Sequence, residues 1–150
     1  MKKILLTGIL SIGFGFLLGS FMLGEKIEWY QKEIENPYYF LQEGVYTNED
    51  VLKNDLVDIT KKIVEYQNNK FYVYVGITKD KEIAEKIKQI YEKKGYKISE
   101  QKKELSSEEF KINVDQFDLL LREAKSEEEI MTIEEVVLAN YEEIVKNSSK

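Results

Sequence analysis

The chain has 150 residues, of which 33% are charged, and a formal net charge of −6 at neutral pH, with neither cysteine nor histidine. The lack of cysteine excludes a disulfide framework and thiolate metal sites, and the lack of histidine removes the commonest general base and zinc ligand. An acidic chain also repels nucleic acid. We therefore expect a protein that is not an enzyme and that has no cofactor, no metal and no nucleic-acid partner.

The first feature along the chain is an apolar segment from Ile4 to Gly24 without a single charged residue. As a helix, its 21 residues would span about 30 Å, the thickness of the hydrocarbon core of a bilayer. Lys2 and Lys3 precede it, so the positive-inside rule keeps the N-terminus cytoplasmic and places the rest outside. A cleaved signal peptide is the alternative, but its apolar core is normally shorter and ends at a small-x-small site. Residues 1–24 are predicted to be a single-pass signal-anchor in the cell membrane.

Small residues are spaced four apart within this apolar segment, at Ser11, Gly15 and Gly19. Such a spacing lines one face of a helix with small side chains, where a second helix can approach closely. The bilayer is thus one predicted partner, and self-association through this face is another. The alternative is that glycine is simply frequent in membrane helices.

Residues 25–37 form a predicted stalk helix, with Ile27, Tyr30 and Ile34 at helical spacing. Pro37 follows and forces the chain into an extended turn.

Residues 38–105 divide into two similar halves, which together predict an α+β domain. Each half consists of a strand, a glycine, a helix and a returning strand, with Gly44 and Gly76 at equivalent places. Two such units side by side predict a four-stranded antiparallel sheet with both helices on one face, in a ferredoxin-like arrangement. The predicted strands run from Tyr38 to Glu43, from Phe71 to Ile77 and from Tyr96 to Gln101, while Lys62 to Tyr66 is either a strand or a last helical turn; one helix is capped by Thr47 or Asn48, and the other is capped by Thr78 and ends at Gly95.

The tail, residues 106–150, carries two apolar stripes at helical spacing. Ser126 and Glu129 form a capping-box pattern that begins the second helix directly after the first ends. So short a connection predicts an antiparallel helical hairpin. Asp115 and Asp118 fall on the polar face of the first helix, where we expect solvation rather than acid–base catalysis. The stripes consist of Phe110, Val114, Phe117, Leu121 and Ala124, and of Ile130, Ile133, Val137, Tyr141 and Ile144.

The two halves resemble the SPOR (sporulation-related repeat) family of peptidoglycan-binding domains. The family's half-motifs are similar to Leu41-Gln42-Glu43-Gly44 and Val73-Tyr74-Val75-Gly76, and Lys81-Glu82-Ile83-Ala84-Glu85 resembles its second helix entry. The resemblance covers residues 38–105. It implies a SPOR-like fold and binding to peptidoglycan glycan strands in a bacterial envelope, in cell division or sporulation.

Strand alternation identifies the residues that an open sheet face would present to a glycan. If Leu41 points toward the helices, then Phe40, Gln42, Tyr72 and Tyr74 point away from them. Aromatic rings beside polar groups suit the apolar faces and hydroxyls of sugars. The alternative is that the tail hairpin packs over this face and turns the rings into core.

Two functions are therefore open for the extracytoplasmic part. One is a membrane-anchored SPOR-like module that binds glycan and localises to the cell envelope. The other is a structural adaptor that binds another envelope or sporulation protein without glycan affinity.

Overall fold

The computed structural model of the chain describes residues 34–146. Within this range one antiparallel sheet of four strands is combined with four α-helices, and a π-helical turn follows the last of them. The predicted α+β class and four-stranded antiparallel sheet are confirmed. In chain order the elements are β1 (Tyr38–Tyr46), α1 (Glu49–Asp55), β2 (Ile63–Gln67), β3 (Lys70–Thr78), α2 (Lys81–Lys93), β4 (Ser99–Lys103), α3 (Glu108–Glu123), α4 (Glu127–Tyr141) and the π-helical turn Glu142–Lys146.

The strands lie in the order β2-β3-β1-β4, and every neighbouring pair is antiparallel. The first strands of the two halves, β1 and β3, are thus the central pair, and the returning strands form the edges. Between β1 and β3 the register skips Val75 and Glu43, so each strand carries a bulge. The bulge in β3 changes the phase of its side chains, because Ile77 lies in the same core cluster as Tyr74 although the two are three residues apart.

One face of the sheet is covered by the helices of the two halves. The side chains of α1, of the loop after it and of α2 meet Leu41, Val73 and Val75 of the central strands in one buried cluster. We call this side of the sheet the repeat face. The equivalent positions in the two halves lie in the same cluster, as the similarity between the halves indicates: Leu52, Leu56 and Ile59, and Ile83, Ile87 and Ile90.

The opposite face is covered by the tail hairpin of α3 and α4, and we call it the hairpin face. Phe110 and Val114 of α3 and Val137 and Tyr141 of α4 lie in a second buried cluster with sheet residues such as Phe40. Asn113 near the start of α3 donates a hydrogen bond of 3.0 Å to Asn140 near the end of α4, so the two helices are antiparallel as predicted. Of the two alternatives for this face, an open platform and a hairpin cover, the structure has the cover.

Local signals account for most element boundaries. The turn between β2 and β3 places Asn68 and Asn69 at φ angles of 52° and 60°, a left-handed conformation that asparagine tolerates. Gly95, with a φ of 93°, follows α2 as predicted. The predicted cap Thr78 is wrong, since Asp80 caps α2 by accepting from the backbone N–H groups of Glu82 and Ile83.

The first half departs from the prediction in two places. Helix α1 ends at Asp55, although its apolar spacing continues to Ile63, which instead begins β2. The segment after α1 is rich in β-branched residues, which favour extended backbone over helix. Strand β1 continues beyond Gly44 to Tyr46, because the register with β3 extends to Phe71.

Several predictions concern residues outside the described range. The signal-anchor over residues 1–24 and its small-residue face at Ser11, Gly15 and Gly19 lie outside it, as does most of the stalk over residues 25–37. Residues 34–37, which are described, are not helical. None of the helices formed by residues 34–146 has the length and apolar character needed to cross a bilayer.

Candidate functional site

The hairpin buries two of the four residues predicted to face a glycan and leaves the other two half-buried. Phe40 and Tyr74 are 0% and 3% exposed, and their rings meet edge to face with centroids 5.5 Å apart. The ring of Tyr141 from α4 lies against Phe40 at 5.6 Å. Gln42 and Tyr72 stay half-buried at the margin of the hairpin. In this fold Phe40 and Tyr74 are therefore core residues, because the apolar inner stripe of the hairpin is buried against their rings.

A charged pair crosses the hairpin face from one sheet edge to the other. Lys103 on β4 forms a salt bridge of 3.1 Å with Glu65 on β2, and its ammonium lies 4.1 Å from the ring centroid of Tyr74. The hydroxyl of Tyr141 donates to the other oxygen of Glu65 over 2.9 Å. Burial, together with the Glu65 carboxylate, raises the pKa of Tyr141. Cation–π contact and hydrogen bonds thus tie both edge strands and α4 to the aromatic cluster.

Together with two neighbouring residues, this pair forms a half-buried polar strip. Tyr72 lies opposite Glu65 in the β2–β3 register, and Gln42 lies opposite Tyr74 in the β1–β3 register, so all share the hairpin face. Lys103 completes the strip at the β4 edge. We call these residues, Gln42, Glu65, Tyr72 and Lys103, the polar strip. Of the four residues of the predicted glycan platform, Gln42 and Tyr72 are left partly accessible, and the charges of Glu65 and Lys103 lie on the same face.

Strand β3 has an unpaired edge where β2 ends. The register pairs β2 with β3 only as far as Tyr74, so the following residues of β3 have β1 on one side and no strand on the other. Here two carboxylates of the hairpin accept the strand's backbone N–H groups. Glu134 accepts from Ile77 over 3.1 Å, and Asp118 accepts from Lys79 over 3.0 Å. Side chains from α3 and α4 therefore take the place of a neighbouring strand.

Asp118 is held in a hydrogen-bond network around the end of β3. The hydroxyl of Thr78 donates to it over 2.6 Å and accepts from the backbone N–H of Asp80 over 3.0 Å. Arg122 forms a salt bridge of 2.7 Å with Asp80. Burial raises the pKa of Asp118 despite the bonds from Thr78 and Lys79 that oppose the shift. The expectation that Asp118 is a solvated residue is wrong, because its helix turns it toward the sheet edge.

Glu134 is more deeply buried than Asp118 and has fewer hydrogen-bond partners. It is 1% exposed, and its Oε1 atom has no hydrogen-bond partner among the described residues. Burial raises the pKa of Glu134 to about 8, and the negative charge of Asp118 adds to the shift.

Sequence reasoning assigned Asp118 to a solvated face and did not single out Glu134, although a signal for the burial of both was present. Asp118 stands four residues after Val114 and three before Leu121, and Glu134 stands four after Ile130 and three before Val137. Each acid therefore occupies a place in the apolar stripe of its helix, where a charged residue is rarely found without a role.

The outer surface of the hairpin is apolar in patches. Leu119 and Leu120 of α3 are 59% and 52% exposed, and Val136 of α4 is 52% exposed. Between the two helices lies a groove of about 540 Å³, which we call the outer groove. Leu120, Ala124 and Ile133 supply its apolar lining, and the acidic residues in its lining are Glu123, Glu128 and Glu129.

No group of three or more acidic side chains within residues 34–146 is arranged to hold a metal ion. Comparison with known proteins finds no match for the chain among family models, curated proteins or solved structures.

Proposed function

We propose that the chain is a membrane-anchored adaptor of the bacterial cell envelope, whose extracytoplasmic domain binds another protein. The observation that carries this proposal is the double use of the tail hairpin. Its inner face covers the aromatic rings of Phe40 and Tyr74, while its outer face presents exposed Leu119, Leu120 and Val136 to the surroundings. A surface of this kind suits a protein partner better than a sugar chain.

A SPOR-like body is part of the proposal for residues 38–105. The order β1-α1-β2-β3-α2-β4 is that of a ferredoxin-like unit, which supports the arrangement that the resemblance implies. The signal-anchor over residues 1–24 would hold this body at the outer surface of the membrane.

The chemistry of the outer groove indicates the kind of partner. The groove has an apolar lining from Leu120 and Ile133 and carboxylates at Glu123, Glu128 and Glu129. Within the described residues neither Glu123 nor Glu128 takes part in an ion pair. Apolar side chains flanked by basic residues would complement this surface, and an amphipathic helix lying in a groove is a common way to present them. We therefore propose a basic amphipathic helix of another envelope protein as the partner.

Glycan binding is the second candidate function, and the polar strip favours it. Tyr72 offers a ring face, and Gln42, Glu65 and Lys103 offer hydrogen-bonding groups beside it. Such a strip would hold a sugar chain along the margin of the hairpin rather than across the whole face of the sheet.

Site-specific photocrosslinking tests the adaptor. In full-length protein expressed in cells, a photoreactive residue at Leu120 should crosslink to a defined protein, and one at Lys86 on the exposed side of α2 should not. The double variant Glu123→Lys and Glu128→Lys should abolish that product, because it reverses the charge beside the groove. A product that persists unchanged in the double variant contradicts the proposed partner chemistry.

A pull-down on purified cell-wall sacculi distinguishes the second candidate. The adaptor predicts no retention of the full-length protein, whereas strip-mediated glycan binding predicts retention that Tyr72→Ala removes. The membrane topology is tested separately with a tag placed after Lys150, which should be digested by protease added to intact protoplasts. A protected tag would contradict an extracytoplasmic domain.

A further inference from the structure

The carboxyl group of Glu134 lies at the unpaired edge of β3, where the hairpin meets residues of the repeat face. Its Oε2 atom is 3.5 Å from the position that a Cβ atom on Gly76 would occupy, beside Leu41 of β1 and Ile87 of α2. The carboxyl group thus enters from α4 into a site between the bulged strand and α2. One N–H group, that of Ile77, is its hydrogen-bond donor, and its second oxygen has no partner among residues 34–146.

The groups that face this carboxyl do not neutralise it. Asp118 from α3 adds a second negative charge, and Tyr91 from α2 is a neutral phenol whose pKa is raised by burial and then by Glu134 and Glu135. The sheet contributes Leu41 and the backbone of Ile77, which carry no charge.

Two cations at the end of β3 and on α3 are engaged with other carboxylates. Lys79 forms a salt bridge of 3.2 Å with Asp115, and Arg122 forms one of 2.7 Å with Asp80. A fully buried carboxylate with a single donor and no cation has a large desolvation cost, so the buried site accommodates the neutral acid far better than the anion.

We propose that Glu134 is a pH-dependent latch, which holds the hairpin on the sheet while its carboxyl is neutral and loosens the hairpin when the carboxyl ionises. The desolvation cost of the ionised carboxylate is removed only if water reaches it. Water can enter only if α4 moves away from β3. Most of the repeat-face cluster comes from the sheet, α1, α2 and the loops beside them, whereas Leu121 and Ile130 are its buried members from the hairpin. The latch is independent of what the protein binds.

The direction of the pH effect follows from the pKa of Glu134, which burial raises from 4.5 to about 8. The docked state then holds a proton that the undocked state releases. The contribution to docking is full below about pH 4.5, falls as the pH rises from there, and is lost above about pH 8. Within that window the docking equilibrium weakens by up to about tenfold per pH unit.

Hydrogen exchange followed by mass spectrometry tests the latch on the full-length chain in detergent micelles. After correction for intrinsic exchange rates, peptides from α3 and α4 should lose protection about tenfold or more between pH 6.5 and pH 9. Peptides from α2 and the β1–β3 pair should lose much less. Glu134→Gln keeps an acceptor for the Ile77 N–H without the charge, and should remove the pH dependence. Glu135→Gln, on the exposed side of the same helix, should behave like the wild type.

Three results would overturn the latch: unchanged pH dependence in Glu134→Gln, a uniform loss of protection throughout the domain, and equal effects of the two glutamine variants. If Glu134→Gln fails to fold, a carbon-13 NMR titration of the wild-type carboxyl decides the question. Titration of Glu134 near pH 8 supports the latch, and titration near 4.5 overturns it.

Discussion

The two faces of the sheet are covered in physically different ways. The repeat face is closed by α1 and α2 mainly through aliphatic side chains such as Leu52 and Ile87. The hairpin face is closed through aromatic rings that lie beside the Lys103–Glu65 pair. At the edge of the hairpin, Asp118 and Glu134 bind the backbone of β3.

The two covers therefore differ in specificity rather than in the extent of burial. Aliphatic packing tolerates many arrangements of similar volume, whereas carboxylates that accept particular backbone N–H groups fix one position of a helix. The cover of the repeat face depends on volume and periodicity, and that of the hairpin face depends on hydrogen bonds and protonation.

The largest expected effect comes from removing a ring on the hairpin face. Tyr74→Ala should lower the free energy of unfolding by about 3–5 kcal/mol, as for large aromatic truncations in cores. Urea unfolding of the full-length protein measures it. An open platform would instead leave the stability nearly unchanged, so a loss below about 1 kcal/mol would contradict the hairpin cover.

A branched side chain at Gly76 tests the junction between the faces. A Cβ atom there would lie 2.9 Å from Leu41 Cδ1 and 3.3 Å from Ile87 Cγ2. We expect Gly76→Val to cost about 1–3 kcal/mol of unfolding free energy through overpacking. Gly44→Val is the control, because the three atoms nearest to a Cβ at Gly44 all belong to the side chain of half-buried Tyr46. Equal melting temperatures for Gly76→Val and the wild type would be incompatible with the close contact.

The carboxylate at the sheet edge should matter more than its exposed neighbour. Asp118→Asn replaces an acceptor of two hydrogen bonds by an amide that can accept with one oxygen only, and should cost about 1–2 kcal/mol at neutral pH. Asp115→Asn removes only the exposed ion pair with Lys79 and should change the unfolding free energy by less than about 0.5 kcal/mol. Chemical denaturation of both variants checks the comparison, which fails if the two cost the same.

The smallest effect on stability is expected on the outer side of the hairpin. Leu120→Ser alters an exposed side chain that lines the outer groove, so the free energy of unfolding should stay within about 0.5 kcal/mol of the wild type. Crosslinking to a partner should nevertheless fall strongly if the outer groove is its binding site. Loss of stability without loss of crosslinking would place this leucine in the core rather than at an interface.

The sequence predicted several local features correctly, because their causes are local. The turn at Asn68 and Asn69, the helix stop at Gly95 and the cap at Ser126, which accepts from the backbone N–H of Glu129 over 3.1 Å, are each determined within a few residues.

The candidate site was less predictable, because it depends on contacts between distant segments. Whether Phe40 and Tyr74 face a ligand or a hairpin depends on where residues 108–141 pack, and a strand pattern contains no information about that. The burial of Glu134 likewise follows from the early end of β2, which leaves a backbone donor on β3 for a side chain to bind.

The early end of β2 also bears on how the chain reaches its native state. Until α3 and α4 are in place, β3 presents an unpaired edge next to the apolar ring of Phe40, and such edges promote pairing with other chains. Asp118 and Glu134 close that edge only after the last helix has been made. Residues 106–146 therefore protect the domain from aggregation. A chain that stops near residue 105 would be aggregation-prone, and a cell would have to remove it.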